Sequence, residues 1–310
     1  MEVLRIGSRG DSVKRLQQLL VKAGYNVSVD GIFGNGTEDV VQDFQKKNNL
    51  TADGIVGKIT WTKLEGNILN DDAFIINKTK FVLPTKNYYQ AIHTKKSIVL
   101  HHTAGWVIQK NSTKNLASMN HFNWWTSRDL HVSTAYSIDY YGNIYEHFDP
   151  KYWSYHLGIG GKLAYLDRES IGIEICNEGA MRKKSDGKFY WVSNGDTNGD
   201  GILDEILIPY NRLDNGLNDQ PVHVQGGWRG YEYYAPYSQA QVDAALFLTK
   251  YLCDKFSIPR NFIEHNNYHK EILLDKYKGI YNHANVRKDG KWDLSPAWPF
   301  SDFKNKLNKD

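Results

Sequence analysis

The stretch YNHANVRKDGKWD, Tyr281–Asp293, sets His283, Lys291 and Asp293 at the spacing His-x7-Lys-x-Asp. A neutral imidazole and a carboxylate are ligand types that Zn²⁺ accepts, and a lysine held between them suits stabilisation of a negative oxygen. Alone, the spacing is common. Two segments far upstream give it meaning: IVLHHTAG (Ile98–Gly105) reads as an apolar strand ending in two histidines, and IGIEI (Ile171–Ile175) as a buried strand carrying one acid. In strand alternation His101 shares a face with Val99, while His102 lies with Ile98 and Leu100, so only one of them points at a shared metal. Two histidines and one carboxylate leave a fourth tetrahedral position for water, which is the catalytic arrangement.

Glu174 sits in the middle of its strand with Ile171, Ile173 and Ile175 on the opposite face. A lone carboxylate there is costly unless it is paired or functional. One reading is a salt bridge with Arg168 or Lys291; the other is a general base whose pKa burial raises toward the working pH. Cys176 falls on the face of Glu174 and reads as an inert small residue of the same pocket.

The surrounding chain alternates strand-like and helical segments from Ser97 onward. A helix is expected over Lys114–Trp125, and AYSIDYYGNIYEHF reads as a hairpin turning at Tyr141–Gly142. A long amphipathic helix is expected over Ser238–Phe256, with Ala244, Leu246, Leu248 and Leu252 on its apolar side. This is the pattern of an α/β domain with a mixed sheet.

Residues 1–66 are organised differently, by an internal repeat. DGIFGNGT (Asp30–Thr37) recurs as DGIVGKIT (Asp53–Thr60). Asp-Gly favours a turn with positive φ and the closing threonine is a good helix N-cap, so each copy reads as a turn feeding a helix. A first helix starts at Asp11–Ser12 with Val13, Leu16, Leu19 and Leu20 at helical spacing. Val40, Val41 and Phe44 give the apolar face of a second helix, and Trp61 and Leu64 that of a third. The expectation is a small three-helix N-terminal domain, a linker over 67–92 that merges into the second domain, and an α/β domain over 93–310 with an insertion around 180–235.

Both parts resemble known families. Gly7, Gly10, Val13, Leu16, Gln17, Leu20, Gly24, Tyr25, the two DGI repeats, Phe44, Gln45 and Trp61 together resemble the peptidoglycan-binding domain family. The segments around His101, Glu174 and His283–Asp293 resemble the zinc-dependent type 2 N-acetylmuramoyl-L-alanine amidases, whose fold is a mixed sheet flanked by helices. That resemblance implies zinc on His101, His283 and Asp293, with Glu174 and Lys291 catalytic and His102 left as a packed core residue. Some members carry cysteine at the last ligand position; here it is aspartate, so neither Cys176 nor Cys253 is needed. His156 in WSYHLG resembles the family's tryptophan–histidine segment beside the substrate, although Ser154 and Tyr155 intervene; a core histidine is the competing account. The family also implies peptidoglycan as the partner. A non-catalytic recognition protein on the same fold, or a zinc peptidase acting on the stem peptide, are the alternatives.

Two further motifs stand apart. His265 and His269 have i, i+4 spacing but Asn266 replaces the glutamate that the metalloprotease pattern requires, so they read as surface or packing residues. DTNGDGILDE places Asp196, Asn198, Asp200, Ile202 and Asp204 as in a calcium loop, with Gly201 at its sixth position. Its twelfth position is Leu207 instead of a bidentate acid, and a polar turn explains the same composition.

Composition limits the remaining possibilities. A net charge of +3 permits attraction to an anionic wall polymer but does not argue for nucleic acid, and no arginine-rich helix is present. Two cysteines cannot form a disulfide framework. Nine tryptophans in 310 residues serve either a core or a sugar-stacking surface. No signal peptide or membrane span is read from the sequence, so synthesis in the cytoplasm is expected, followed by action on the cell wall after release, as for a phage endolysin, or after delivery as a secreted effector. Oligomeric state is not legible.

Overall fold

A computed structural model describes residues 2–48, 50–66, 74, 76–103, 120–195, 204–210, 219–288 and 291–309. The chain divides into two compact units, one ending at Ile75 and the other starting at Ile76.

The first unit contains α1 (Asp11–Lys22), α2 (Asn35–Lys47) and α3 (Lys58–Gly66). Val13, Leu16 and Leu20 of α1 pack with Val41 and Phe44 of α2, Trp61 and Leu64 of α3, and Leu4, Phe33 and Val56 from the connections. The repeat in the sequence is a repeat of one buried polar hub. The Gln17 side-chain amide donates to Asp30 Oδ1 (2.8 Å), Ile32 O (3.0 Å) and Thr37 Oγ1 (3.2 Å), while its oxygen accepts from Gly31 N (2.8 Å). Gln45 repeats this with Asp53 Oδ1 (2.9 Å), Ile55 O (2.9 Å), Thr60 Oγ1 (3.2 Å) and Gly54 N (2.9 Å). Gly31 and Gly54 have φ of +77° and +71°, which explains the glycine in each copy. The threonines are not N-caps as expected. Gly34 precedes α2 and Thr37 lies inside it, because its hydroxyl is recruited by the buried glutamine instead of the helix terminus.

The second unit is built on a six-stranded mixed sheet of order β1-β4-β3-β5-β2-β11. Its strands are β1 (Ile76–Asn77), β2 (Ser97–His102), β3 (Tyr136–Ile138), β4 (Ile144–Glu146), β5 (Ser170–Ile175) and β11 (Gly279–Asn282). β3, β5, β2 and β11 run parallel, and β4 is antiparallel to β3. Residues 76–92, expected as linker, are therefore part of this unit: β1 pairs with β4, Tyr88 stacks on Phe148 at 4.7 Å and Tyr89 on Trp153 at 4.2 Å. Apolar pairing surface, not composition, decided that boundary.

The hairpin turns where the sequence placed it. Asp139 Oδ1 accepts from the Tyr141 and Asn143 amides, and Gly142, at φ +79°, lies so close to the Ala240 carbonyl that a Cβ would stand 2.6 Å from its oxygen. The long helix is α6 (Gln239–Phe256), opened by a capping box between Ser238 and Gln241. It packs on β3, and α8 (Phe300–Leu307) packs on it. Of the helix expected over Lys114–Trp125, the described part is α4 (Asn120–Thr126). Cys176 and Cys253 are both buried and free, and burial pushes the Cys253 thiol up to about 12.

The expected insertion is a second, antiparallel sheet of order β8-β7-β6-β10-β9. It comprises β6 (Ala180–Lys183), β7 (Phe189–Gly195), β8 (Asp204–Pro209), β9 (Val222–Trp228) and β10 (Tyr231–Tyr234). One face gathers Ala180, Val192, Tyr231 and Tyr234 against Trp292 and Ala297. Of the calcium-loop residues, Asp196, Asn198, Asp200 and Ile202 lie outside the described residues; Asp204 opens β8, paired with Gly195. Among the described residues no helix is long and apolar enough to cross a membrane.

Candidate active site

Parallel pairing brings the chemistry-bearing residues of three strands to one edge of the sheet. His101 on β2 pairs with Glu174 on β5, which pairs with Ser137 on β3, so the three form one row. β11 runs beside β2 and ends at Asn282, whose capping box opens the short helix α7 (His283–Val286) and places His283 next to His101. Asn285 fixes that turn from below by donating to the carbonyls of His265 and Asn267, both at 2.8 Å. The rings of His265 and His269 stack on each other at the surface, as a packing role requires.

Three buried side chains then converge. His101 Nδ1 stands 3.1 Å from His283 Nδ1, and each nitrogen is 3.0 Å from Asp293 Oδ2. His283 Nε2–H donates to Leu157 O at 2.7 Å, which leaves its Nδ1 lone pair facing the other two atoms. Zinc ligands about 2.0–2.1 Å from a tetrahedral ion stand about 3.3 Å apart, close to these spacings. Two imidazoles and a carboxylate, one imidazole held by an outer carbonyl, fit a zinc ion with an open fourth position. Burial lowers the His101 pKa to about 4, so the imidazole is neutral at pH 7, the form a metal would require. For Asp293 burial pushes upward, but the facing imidazoles outweigh it and hold the carboxyl well below its ordinary value.

His101, His283 and Asp293 line a cleft of about 510 Å³ together with Glu174 and Lys291. Glu174 is partly exposed to the cleft but otherwise surrounded by protein. Burial, reinforced by the charge of Asp293, raises its pKa to about 8, and Lys291 opposes the rise. Among the described residues it has no ion pair with Arg168 or Lys291; Arg168 instead lies over the Trp153 ring. Lys291 and Asp293 flank Trp292, whose ring packs on the inserted sheet, 6.3 Å edge-on from Tyr231.

His102, expected as a packed core residue, is buried but also lines the cleft. Its Nδ1 is 2.9 Å from the Tyr237 hydroxyl, and burial lowers its pKa to about 4. His156 lines the cleft but has both ring nitrogens engaged by protein, Nδ1 at 2.9 Å from His101 Nε2 and Nε2 at 2.9 Å from Ser170 Oγ. Cys176 is fully buried and is not among the residues lining the cleft.

Several cleft residues were not singled out by sequence: His121, Trp124, Trp125, Tyr155 and Trp292. His121 Nε2 is 2.7 Å from Ser137 Oγ, which is 2.6 Å from His147 Nε2. The pair Trp124–Trp125 was the available signal, one ring exposed at 43% and the other buried.

Residues 9–64 match the putative peptidoglycan binding domain family. Among curated proteins the chain is similar to a zinc D-Ala-D-Ala carboxypeptidase of Streptomyces albus G, 38% identical over 78 residues, 24% of this chain and 29% of that protein. It is also similar to a probable N-acetylmuramoyl-L-alanine amidase of Bacillus licheniformis, 41% identical over 61 residues, 19% of this chain and 17% of that protein. The chain thus spans less than a third of the length of either relative. The solved structure of PlyL is 14% identical with a TM-score of 0.41, covering 76% of this chain and 98% of that one. A far longer match runs over residues 93–294, well over half of the 310, and takes in the whole cluster from His101 to Asp293: by it the chain belongs to the N-acetylmuramoyl-L-alanine amidase family.

Proposed function

We propose that the protein hydrolyses the amide between the lactyl group of N-acetylmuramic acid and L-alanine in peptidoglycan, with the first unit holding the wall. The observation that carries this reading is the convergence of His101, His283 and Asp293 within 3.1 Å beside a carboxyl whose pKa is raised to about 8. When bound by those three residues, zinc supplies Lewis acidity toward a water and the scissile carbonyl.

The chain's own groups do the rest. Glu174 accepts the proton of the attacking water and delivers it to the departing alanine amine, so the carboxylate is regenerated and one water is consumed. Its raised pKa suits a group that must both take and return a proton, and the charge of a bound cation draws that pKa down toward neutrality. Lys291 places an ammonium where the carbonyl oxygen gains negative charge, an interaction that strengthens only toward the transition state. Trp124 and Tyr155 on the cleft wall offer apolar faces to the glycan or peptide.

Product analysis on purified peptidoglycan tests this. New N-terminal L-alanine is expected. Cleavage elsewhere in the stem peptide would replace the amidase reading with a peptidase, and binding without cleavage would replace it with a recognition protein. A wall-binding and a wall-cutting unit in one chain also suit an endolysin. Purified protein is then expected to lyse susceptible cells from outside, and inert behaviour toward walls that it degrades when isolated would count against that role.

A further inference from the structure

The two metal-facing histidines are held from behind by adjacent residues. The ring of His156 meets His101, and the carbonyl of Leu157 meets His283. Asp167, on the short helix α5 (Tyr165–Arg168) and fully buried, clamps this pair by accepting both the His156 and Leu157 backbone amides at 2.8 and 2.9 Å.

Proton placement along the His101 branch follows from its far end. Leu166 O can only accept, so the Ser170 hydroxyl, 2.5 Å away, must donate to it. That uses the only hydrogen on Ser170 Oγ. His156 Nε2, 2.9 Å from the same oxygen, must then be the donor. A neutral His156 with its proton on Nε2 has a bare Nδ1, so His101 Nε2 donates to it across 2.9 Å. His101 is left with its lone pair on Nδ1, the atom that faces His283 and Asp293.

We propose that His156 and Ser170 are positioning residues of the metal site: together with the Leu166 carbonyl they lock His101 in its Nε2–H tautomer and so keep Nδ1 available to zinc. His156 is thereby an outer support of the ligand and not a hydrogen-bonding partner of substrate. The proposal rests on the zinc amidase reading for its consequence, but its proton order is a property of the metal-free protein. Outer partners of this kind typically contribute about 10–100-fold to metal affinity.

The test uses the full chain labelled with ¹⁵N-histidine. In metal-free wild-type protein, long-range ¹H–¹⁵N correlation should show His101 as the Nε2–H tautomer. In His156→Phe, which retains ring volume but not the acceptor, His101 should become a mixture of tautomers, and chelator competition should show zinc bound about 10–100-fold more weakly. His156→Gln, whose side-chain oxygen can accept from His101, should recover part of that loss. Ser170→Ala, a milder change, should give an intermediate loss by freeing His156 to hold its proton on Nδ1, and it decides the question if the Phe variant does not fold. An Nδ1–H tautomer in wild-type His101, or variants that bind zinc as wild type does while only KM rises, would overturn the proposal. If wild-type protein bound no zinc, the functional reading would fail while the tautomer spectrum still decided the relay.

Discussion

The two polar clusters of this protein are built in opposite ways. In the first unit Gln17 gathers partners 13 to 20 positions away, and Gln45 gathers the equivalent atoms 8 to 15 positions away. In the second, His101 meets His283 and Asp293 across 182 and 192 positions. In the glutamine hubs the donors and acceptors answer one another, so those clusters are finished when the chain folds. At the histidine cluster two imidazole nitrogens and a carboxylate oxygen face one another within 3.1 Å, a grouping able to hold a metal ion. A local, self-satisfied hub belongs to folding; a distant convergence of lone pairs belongs to binding.

The sharpest way to break the comparison is to remove a ligand. His101→Ala, His283→Ala and Asp293→Ala should each abolish both zinc retention and amide hydrolysis, measured by metal analysis and muropeptide turnover. The thermal transition of the first unit should not move. Full turnover in rigorously metal-free protein would remove zinc from the mechanism.

Glu174→Gln should keep zinc and lose on the order of 10²–10⁴-fold in turnover, since an amide cannot accept the proton. It also carries a pH signature. The unfolded carboxyl ionises near 4.5 but the folded one near 8, so wild-type stability from this group is complete below 4.5 and is lost as pH rises through 8. Measured on metal-free protein, Glu174→Gln should therefore gain stability relative to wild type between those values. A flat difference would mean that the acid is not desolvated in solution.

Lys291→Met should retain zinc and substrate affinity and lower kcat on the order of 10²-fold, because the lost interaction develops in the transition state. If the loss appeared instead in KM alone, Lys291 would be a substrate-binding group.

The smallest effect is expected from the other side of the comparison. Gln17→Ala or Gln45→Ala should destabilise the first unit by about 1–3 kcal/mol, leaving its buried partners unanswered. Turnover on a soluble muropeptide should be unchanged, while action on intact wall falls as the unit unfolds and local concentration is lost. Equal losses on both substrates would show that the two units act as one site.

The sequence by itself determined a good deal. It held the duplicated turn of the first unit, the apolar strands around His101 and Glu174, the hairpin at Gly142 and the long helix from Gln239. These follow from local periodicity, capping and turn chemistry, which are written within a few residues. The candidate site residues His283, Lys291 and Asp293 were legible as well, because they fall within eleven residues of one another, while His101 was legible from the end of its own apolar strand. Only the tertiary structure decided which atoms of those ligands converge, and that Thr37 and Thr60 serve buried glutamines instead of helix ends. It also decided that Ile76 and Asn77 join the sheet, that Tyr88 and Tyr89 stack on Phe148 and Trp153, and that both ring nitrogens of His156 face protein groups. The physical reason is the same in each case. A hydrogen bond or a metal-facing lone pair is satisfied by whatever group folding brings within about 3 Å, and sequence spacing does not encode that neighbour when it comes from another strand.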